Sequence, residues 1–448
     1  MKNKPNVIVF FTDQQRWDTS SLYGNTMDLT PNFDRMAIEG THCYNAFTCQ
    51  PVCLPARSCL QTGKYASEMD IFSNGNELPL DSKTLGHYFG EAGYKTGYIG
   101  KWHMCHEEPV PPERREGYQY WLGANVLEFT SDSYNTIMYD DAGESVFLPG
   151  YRVDALTDVA IKYIQENREE PFFLFISYLE PHFQNSRDDF PAPTGYEEKY
   201  QNPWTPPDLQ ALEGTAARHL PGYYGMVKRL DEALGRLQDA LISMDLKDDT
   251  IIAYTADHSC HFKTRNSEYK RSCHDSSIRI PMAFGGHVFE NGGRLKNMTS
   301  LIDLPPTILN ACGIEVPEEM QGNSICDLAN RNSDEWPDDV FVEIMDGGWM
   351  RRSVRTKRWK YSVKASTPFS ENNGHPEEYI EEELYDLKAD PWELNNVIGY
   401  QSHRKVSDVM KKRLLARMEQ IGETDVVVED APGIPSGQKT LAEKEIYE

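Results

Sequence analysis

This sequence of 448 residues lacks any uninterrupted apolar stretch that is long enough to cross a membrane. The apolar run from Val7 to Phe11 is too short for the core of a signal peptide, and no small-residue cleavage site follows it. We therefore expect no membrane partner, no export signal and a cytoplasmic location.

Basic residues are also scarce. The 45 lysines and arginines stand against 70 aspartates and glutamates, which gives a formal net charge of −25. Nucleic acids require a basic footprint on the protein, so we expect no nucleic-acid partner. The same charge repels polyanions, which favours a small or sparsely charged substrate if the substrate is anionic.

Closely spaced cysteine pairs are missing as well. The sequence has nine cysteines, an odd number, so at least one lies outside any intramolecular disulfide. Cys43, Cys49, Cys53 and Cys59 form a cluster, but their spacing does not match the short pairs of structural zinc sites. We expect most of the cysteines to be reduced and buried.

Hydrophobic residues make up 39% and charged residues 26% of the chain, which is typical of a folded protein. Four apolar runs, each followed by polar or ionisable residues, predict buried strands at 6–11, 95–99, 172–178 and 250–255. Helical spacing of apolar residues predicts helices at 151–167, 223–241 and 303–311. This alternation indicates an α/β fold, with a large, mostly parallel sheet sandwiched by helices and a ligand crevice at the carboxyl ends of its strands.

The pattern changes beyond residue 330. Short strand-like runs without intervening helices occur at 340–344, 351–356, 359–363 and 383–387, and a helix is predicted at 407–421. We expect a catalytic α/β domain over residues 1–330. We expect a smaller C-terminal α+β subdomain over residues 331–448, with a short antiparallel sheet, a helix and an acidic tail.

The segment from Cys53 to Gly63 reads CLPARSCLQTG. Pro55 suits the first position of a helix, which predicts that Cys53 lies just before one. The free amides and the dipole of the helix would favour an anion at Cys53, and Arg57 could contact the same anion. A single cysteine in such a place is more often a buried structural residue.

The pattern CxPxR followed by Thr62 and Gly63 resembles the signature of the type I, formylglycine-dependent sulfatases of the alkaline phosphatase-like superfamily. Further segments occur in the order typical of this family, at 6–14, 30–35, 100–103, 180–182, 256–258, 277–281 and 383–387. The resemblance implies an alkaline phosphatase-like fold and hydrolysis of sulfate esters. It also implies that a formylglycine-generating or anaerobic sulfatase-maturating enzyme converts Cys53 to formylglycine.

The resemblance implies a metal site as well. Asp13, Gln14, Asp257 and His258 match the family's metal ligands, together with the formylglycine at Cys53. Carboxylate and amide oxygens suit Ca²⁺. His258 departs from the asparagine that is common at its position, which leaves Mg²⁺ or Mn²⁺ as alternatives. An Asp-Gln pair after a strand is, by itself, usually a turn or a helix cap.

Four further residues complete the implied catalytic set, to which Arg57 also belongs. Lys101 and His103 are two residues apart, so in an extended segment their side chains point to the same side. By resemblance, His103 hydrogen-bonds the formylglycine, Lys101 binds a sulfate oxygen and Lys270 reaches the bridging oxygen. His182 resembles the histidine that protonates the departing alcohol. Taken singly, each lysine would be a solvated charge and His182 a structural residue.

A hydrated aldehyde offers two hydroxyls on one carbon. One attacks sulfur, and deprotonation of the other then expels sulfate, so water need not attack a stable sulfated enzyme. The leaving group stays open among sulfated sugars, aryl sulfates and steroid sulfates.

Two alternatives remain at this point. Asp13 and Gln14 followed by Arg16 also resemble formylglycine-dependent phosphonate monoester or phosphodiester hydrolases, although Lys101 and His103 favour sulfate. If Cys53 is not converted, the protein would be a non-catalytic binder of a sulfated ligand.

Overall fold

The computed structural model describes residues 4–329, 336–370, 374–436 and 440–448. Within these ranges, ten strands form one sheet and five form another. The larger sheet contains β1 (Asn6–Thr12), β2 (Thr41–Phe47), β3 (Lys95–Lys101), β4 (Tyr120–Ala124), β5 (Thr136–Tyr139), β6 (Ser145–Leu148), β7 (Phe172–Ser177), β8 (Thr250–Ala256), β9 (Met282–Gly285) and β10 (Gly293–Ser300).

Helices cover both faces of this sheet, and two more belong to the C-terminal sheet. The described helices are α1 (Pro31–Glu39), α2 (Cys53–Thr62), α3 (Leu85–Glu91), α4 (Leu127–Thr130), α5 (Arg152–Asn167), α6 (Tyr196–Lys199), α7 (Pro207–Ala211), α8 (Ala216–Ser243), α9 (Asp275–Ile278), α10 (Leu304–Ala311), α11 (Arg404–Gln420) and α12 (Glu443–Ile446). Of these, α11 packs against the C-terminal sheet and α12 packs against α11. The predicted α/β fold is confirmed. Among the described residues, no helix is both long and apolar enough to cross a membrane.

Strand β1 explains why the centre of the sheet is apolar on both sides. Val7, Val9 and Phe11 belong to the core on one face of the sheet, whereas Ile8 and Phe10 belong to the core on the other. Successive side chains of a strand point to opposite faces, so a strand covered on both faces needs an unbroken apolar run.

The strand order is β10-β2-β9-β8-β1-β7-β3-β4-β5-β6. Strand β1 runs parallel to both β7 and β8, and β3 runs parallel to β7. Thr12 pairs with Ala256, and Gly100 pairs with Ser177. The residues that follow these four strands therefore emerge next to one another, at one edge of the sheet.

The second sheet contains β11 (Asp339–Asp346), β12 (Trp349–Thr356), β13 (Trp359–Ala365), β14 (Glu378–Asp386) and β15 (Val427–Glu429). Strands β11 to β14 pair antiparallel in chain order, whereas β15 joins β14 in parallel. The predicted C-terminal antiparallel sheet is thus confirmed. The division between residues 330 and 331 stays a prediction, because it falls within residues 330–335, which lie outside the described ranges.

Candidate active site

The carboxyl ends of neighbouring parallel strands bring the predicted site residues together. Asp13 and Gln14 follow β1, Asp257 and His258 follow β8, and Lys101 is the last residue of β3. All five side chains are buried. A parallel sheet exposes its strand ends on one edge, which is where ligands of α/β proteins bind.

Cys53 is the first residue of helix α2 and is 1% exposed. The sequence predicts a helix that starts at Pro55, but the structure starts it at Cys53. A proline is tolerated two residues further in, because the first amides of a helix have no intrahelical acceptor. The sulfur nevertheless lies at the amino-terminal end of the helix, as expected.

Four side chains surround a common point. The ligand atoms of Asp13, Cys53, Asp257 and His258 all lie within 4.8 Å of one another. The Nε2 atom of His258 is 3.4 Å from the Cys53 sulfur, and its Nδ1 atom is 3.0 Å from the carbonyl oxygen of Ser259. Because Nδ1 donates to that carbonyl, the lone pair of Nε2 faces the cluster.

The cluster has the features of a site for a divalent cation. Gln14 Oε1 and Asp257 Oδ2 are buried, and the described residues give neither atom a hydrogen-bond partner. Burial, together with the nearby Asp13 carboxylate, raises the pKa of Asp257 to about 7. A cation would satisfy both oxygens and the charge of two neighbouring carboxylates, so the residues present fit a hard metal ion.

The outer oxygen of Asp13 is held by two cations. Asp13 Oδ2 accepts hydrogen bonds from Lys101 Nζ and from Arg57 Nη2, both at 2.9 Å. Burial opposes ionisation of Asp13, but Lys101, His182 and Arg57 hold its pKa below the usual range. Arg57 Nη1 donates to Lys101 O and to Ser177 Oγ. Arg57 therefore supports Asp13, and its predicted contact with an anion stays a prediction.

Lys270 and His182 approach Cys53 from another direction. Lys270 Nζ lies 2.7 Å from the Cys53 sulfur and 3.4 Å from His182 Nε2. The Nδ1 atom of His182 lies 2.7 Å from the carbonyl oxygen of Phe183. Burial would raise the pKa of the Cys53 thiol, but Lys101 and Lys270 bring it well below its ordinary value. Position 53 is thus an environment that stabilises negative charge.

His103 also interacts with Cys53. Its backbone φ is 56°, so it is not part of an extended segment as the sequence predicts. Lys101 ends strand β3 and His103 turns back in the left-handed region, yet both side chains reach the site. Burial lowers the pKa of His103, which favours the neutral ring.

Two residues at the site are not identified from the sequence. Glu128, on the four-residue helix α4, accepts a hydrogen bond from Lys101 Nζ at 2.8 Å. Ser177, the last residue of β7, accepts one from Arg57. Neither belongs to a motif or a periodic pattern, and a serine at a strand end is the only weak signal.

Arg16 lies outside the site chemistry. Its guanidinium donates to both carboxylate oxygens of Asp18 and of Asp208 and to the carbonyl oxygen of Cys260. The side chains of Arg16 and of both aspartates are buried, so Arg16 forms a structural ion-pair network. The resemblance to phosphonate hydrolases that uses Arg16 has no support in these contacts.

Side chains that could hold a metal ion and buried cationic side chains surround one cysteine, an arrangement that suits a hydrolase of anionic esters. Residues 5–314 match the Sulfatase family, and residues 268–420 match the C-terminal region of N-sulphoglucosamine sulphohydrolase. The chain belongs to the sulfatase family and is a sulfuric ester hydrolase.

Known proteins resemble this chain over almost its whole length. An ulvan-active sulfatase from Formosa agariphila is 27% identical over 443 residues, which cover 94% of this chain and 82% of the relative. A solved structure in complex with its substrate D-glucosamine-2-N,6-O-disulfate has a TM-score of 0.77 at 23% identity, covering 94% of this chain and 99% of that one. The phosphonate monoester hydrolase of Agrobacterium radiobacter has a TM-score of 0.71 at 21% identity, covering 93% and 96%. The two structures share the fold with this chain.

Proposed function

We propose that this sulfatase hydrolyses sulfate monoesters of a carbohydrate through a formylglycine at position 53 and a bound divalent cation, and releases inorganic sulfate. The observation that carries the proposal is the convergence of Asp13, Asp257, His258 and Lys270 on the Cys53 sulfur. The ulvan-active relative and the structural neighbour that binds a sulfated glucosamine support a sulfated sugar as the substrate.

Asp13, Gln14, Asp257 and His258 would hold the cation, with position 53 as a further ligand. Their oxygen atoms favour Ca²⁺, and the imidazole of His258 keeps Mg²⁺ or Mn²⁺ as alternatives. When bound, such a cation would lower the pKa of a hydroxyl nucleophile and hold a sulfate oxygen. The hydrated formylglycine would supply that nucleophile and a second hydroxyl on the same carbon.

The charges of the remaining side chains suit a sulfate ester. The buried acids and bases at the site balance in number: Asp13, Glu128 and Asp257 against Arg57, Lys101 and Lys270. A dication would leave the site positive, which favours an anionic ester despite the net charge of −25 on the whole chain. We propose that Lys101 binds a sulfate oxygen and that Lys270 binds the oxygen that bridges sulfur and the leaving group.

The histidines would handle protons. His182 Nε2 lies beside Lys270 Nζ, on the side where we propose that the leaving oxygen binds. Because His182 Nδ1 faces the carbonyl oxygen of Phe183, Nε2 is the atom free to exchange a proton with the departing alcohol. His103 would hydrogen-bond position 53.

The decisive experiment joins mass spectrometry with a substrate panel. The chain is produced with and without a formylglycine-generating or anaerobic sulfatase-maturating enzyme, and the mass of the peptide that contains position 53 is measured. Released sulfate is then measured for sulfated monosaccharides, phenols and steroids. We expect activity to follow the converted fraction and to be highest for a sulfated sugar. Activity that is independent of conversion would contradict the proposal.

Matched variants test the nucleophile. Cys53→Ala should abolish turnover without unfolding the protein, because it removes the reacting atom from the start of a helix. Cys59→Ala removes another buried thiol from the same helix and should retain most of the activity. Full activity in Cys53→Ala would reject the mechanism.

A comparison of sulfate esters with phosphonate esters separates the alternative functions. Phenyl phosphonate esters and aryl sulfates, compared at equal formylglycine content, should give the larger kcat/KM for sulfate, because Lys101 and His103 both face position 53. A larger value for phosphonate would favour the phosphonate hydrolase. An unconverted Cys53 in the native host would favour a non-catalytic binder of sulfated ligands.

A further inference from the structure

Glu128 is a buried carboxylate in which one oxygen atom is hydrogen-bonded and the other is not. It is 2% exposed, and its Oε1 atom accepts a hydrogen bond from Lys101 Nζ. Its Oε2 atom is buried and has no hydrogen-bond partner in the part of the chain that the structure describes. Leaving such an oxygen unsatisfied costs about 1–3 kcal/mol, so its retention calls for a function.

Three histidines face position 53, and two of them are oriented in the same way. His182 and His258 each lie with Nδ1 near the carbonyl oxygen of the following residue, at 2.7 and 3.0 Å. Each therefore carries its proton on Nδ1 and presents the lone pair of Nε2 to the site. The backbone itself fixes the tautomer of these two rings.

His103 lacks this backbone acceptor. Its Nδ1 atom is buried without a hydrogen-bond partner among the described residues. The groups that interact with the ring include Cys53, Lys101 and Glu128. A lysine ammonium accepts no hydrogen bond, whereas a carboxylate oxygen of Glu128 lies 4.0 Å from Nδ1 and can act as its acceptor.

The distance is consistent with a pair that closes by a small movement. His103 Nδ1 lies 4.0 Å from Glu128 Oε1, which is longer than a hydrogen bond. Catalytic hydrogen bonds are often long before substrate binds and shorten in the complex. The backbone around Glu128 is fixed meanwhile, because Gln184 Nε2 donates to its carbonyl oxygen at 2.6 Å.

We propose that Glu128 is a positioning residue that holds His103 as the Nδ1–H tautomer, so that Nε2 can accept a proton from position 53. A carboxylate on Nδ1 also makes the ring more basic than a carbonyl does, which sets His103 apart from His182 and His258. The benefit to catalysis rests on the proposed function, whereas the tautomer itself does not.

Nitrogen NMR of the full chain carrying Cys53→Ser, with labelled histidine, tests the tautomer and needs no conversion, because a neutral hydroxyl replaces the ionisable thiol. We expect His103 to carry its proton on Nδ1, and His103→Ala identifies its signals by their loss. Glu128→Ala should move His103 toward the Nε2–H tautomer. The rings of His182 and His258 should keep theirs, because their backbone acceptors are untouched. Glu128→Met, which fills more of the same space without an acceptor, should act as Glu128→Ala does.

A matched control separates positioning from general disturbance of the turn. Glu108 Oε2 accepts the backbone N–H groups of Asn125 and Val126, directly before α4, and does not contact His103. Glu108→Gln perturbs the same turn and should leave the His103 tautomer unchanged. An unchanged tautomer in Glu128→Ala and Glu128→Met, or an equal shift in Glu108→Gln, would overturn the proposal.

Kinetics of the converted enzyme give a second readout. Glu128→Gln keeps an acceptor but loses the charge, so we expect kcat to fall about 10–100-fold with little change in KM. In a His103→Ala background the same substitution should cost almost nothing further, because the two residues act as a unit. An equal loss in both backgrounds would overturn the proposal. If no sulfate ester is cleaved but the tautomer shifts as expected, the proposed function fails and the positioning role stands.

Discussion

The two oxygens of Asp13 serve different partners. Oδ2 accepts from Lys101 and Arg57, whereas Oδ1 lies 3.8 Å from both the Cys53 sulfur and His258 Nε2. Two cations thus fix the orientation of this carboxylate, as groups behind a metal ligand commonly do, and a metal ligand is the role that we propose for Asp13. The position of one carboxylate thus depends on both strand β3 and helix α2.

Arg57→Ala should therefore lower stability as well as activity. It removes one of the two cations that compensate the buried Asp13 charge, and breaking a buried pair costs about 3–5 kcal/mol. The measurement is urea unfolding at neutral pH, on protein with verified formylglycine content.

Arg35→Ala is the control for Arg57→Ala. Arg35 is exposed and bonds Asn32 and Gln238, so its loss should change stability by less than about 0.5 kcal/mol. If Arg57→Ala unfolds as Arg35→Ala does, the Asp13–Arg57 contact is not a major source of stability.

Much of the site can be predicted from short segments. Asp13, Gln14, Asp257 and His258 follow apolar runs directly, and parallel strands carry such residues to one edge. Glu128, in contrast, reaches Lys101 only because α4 folds back onto β3. The left-handed backbone conformation of His103 cannot be predicted from the sequence either, since it depends on tertiary contacts and not on a local pattern.

At the scale of the elements, Gly100 sets how closely β3 approaches β7. Its φ is 115°, and a Cβ atom there would lie 1.9 Å from the carbonyl oxygen of Ser177. Gly100→Ala should cost about 3 kcal/mol or more, because the colliding atom belongs to the backbone. It should also displace the adjacent Lys101. Thermal and urea unfolding measure the loss.

Gly150→Ala isolates the conformational part of that cost. Gly150 has a φ of 89°, and a Cβ atom there would meet nothing within 4 Å. This variant should lose only about 1–2 kcal/mol, from the positive φ alone. Equal losses at the two positions would mean that β3 can move away from Ser177.

Glu423, which follows helix α11, anchors that helix to β12 through Arg352. Burial would raise the pKa of Glu423, but Arg352 and His375 lower it from 4.5 to about 2. The depressed pKa stabilises the fold at pH values above 4.5, and this contribution is lost as the pH falls from 4.5 toward 2. Glu423→Gln should cost roughly 3 kcal/mol at pH 7.

The cost of Glu423→Gln should shrink as the medium becomes acidic. Urea unfolding of both proteins at pH 7, 5 and 3.5 follows the difference in unfolding free energy. A difference that stays constant over this range would show that the Glu423 charge contributes nothing, and that the substitution acts through packing.

Long helices and the four central strands are predicted better than the other elements. The segment 223–241 lies within α8 and the segment 151–167 almost coincides with α5, because one apolar stripe faces the sheet. The strands on either side of the four predicted ones are missed: β2, β4, β5, β6, β9 and β10. Strands β5 and β6 have four residues each and are partly exposed, which leaves no continuous apolar run. Their pairing is decided by the turn between them and by the edge of β4.

The whole molecule is held together by a core that both sheets share. Phe11 of β1 and Trp359 of β13 belong to one continuous apolar cluster. Asp275 of α9 is buried, and it accepts hydrogen bonds from Arg355 at 2.9 Å and from Lys360 at 2.6 Å. The predicted division into residues 1–330 and 331–448 therefore describes two lobes that we propose depend on each other.

A chain of residues 1–330 alone should fail to fold cooperatively. Truncation exposes the apolar cluster and leaves Asp275 without the two cations of the second sheet, a loss that exceeds the usual stability of about 5–15 kcal/mol. Circular dichroism during urea unfolding tests this expectation.

Supplying residues 331–448 as a separate chain is the complementary test for the truncation. The two pieces should assemble and recover a cooperative transition, because the interface carries its own core and ion pairs. A cooperative transition for residues 1–330 alone would show that the first sheet forms an independent domain.

The near-complete burial of Cys53 constrains the order of events while the protein is being made. A second protein cannot reach a sulfur that is 1% exposed between a helix and a sheet edge. If Cys53 is converted as we propose, the other enzyme has to act before the polypeptide collapses around this residue. The converted fraction would then depend on the relative rates of conversion and folding, and a folded molecule that kept its thiol would stay unconverted.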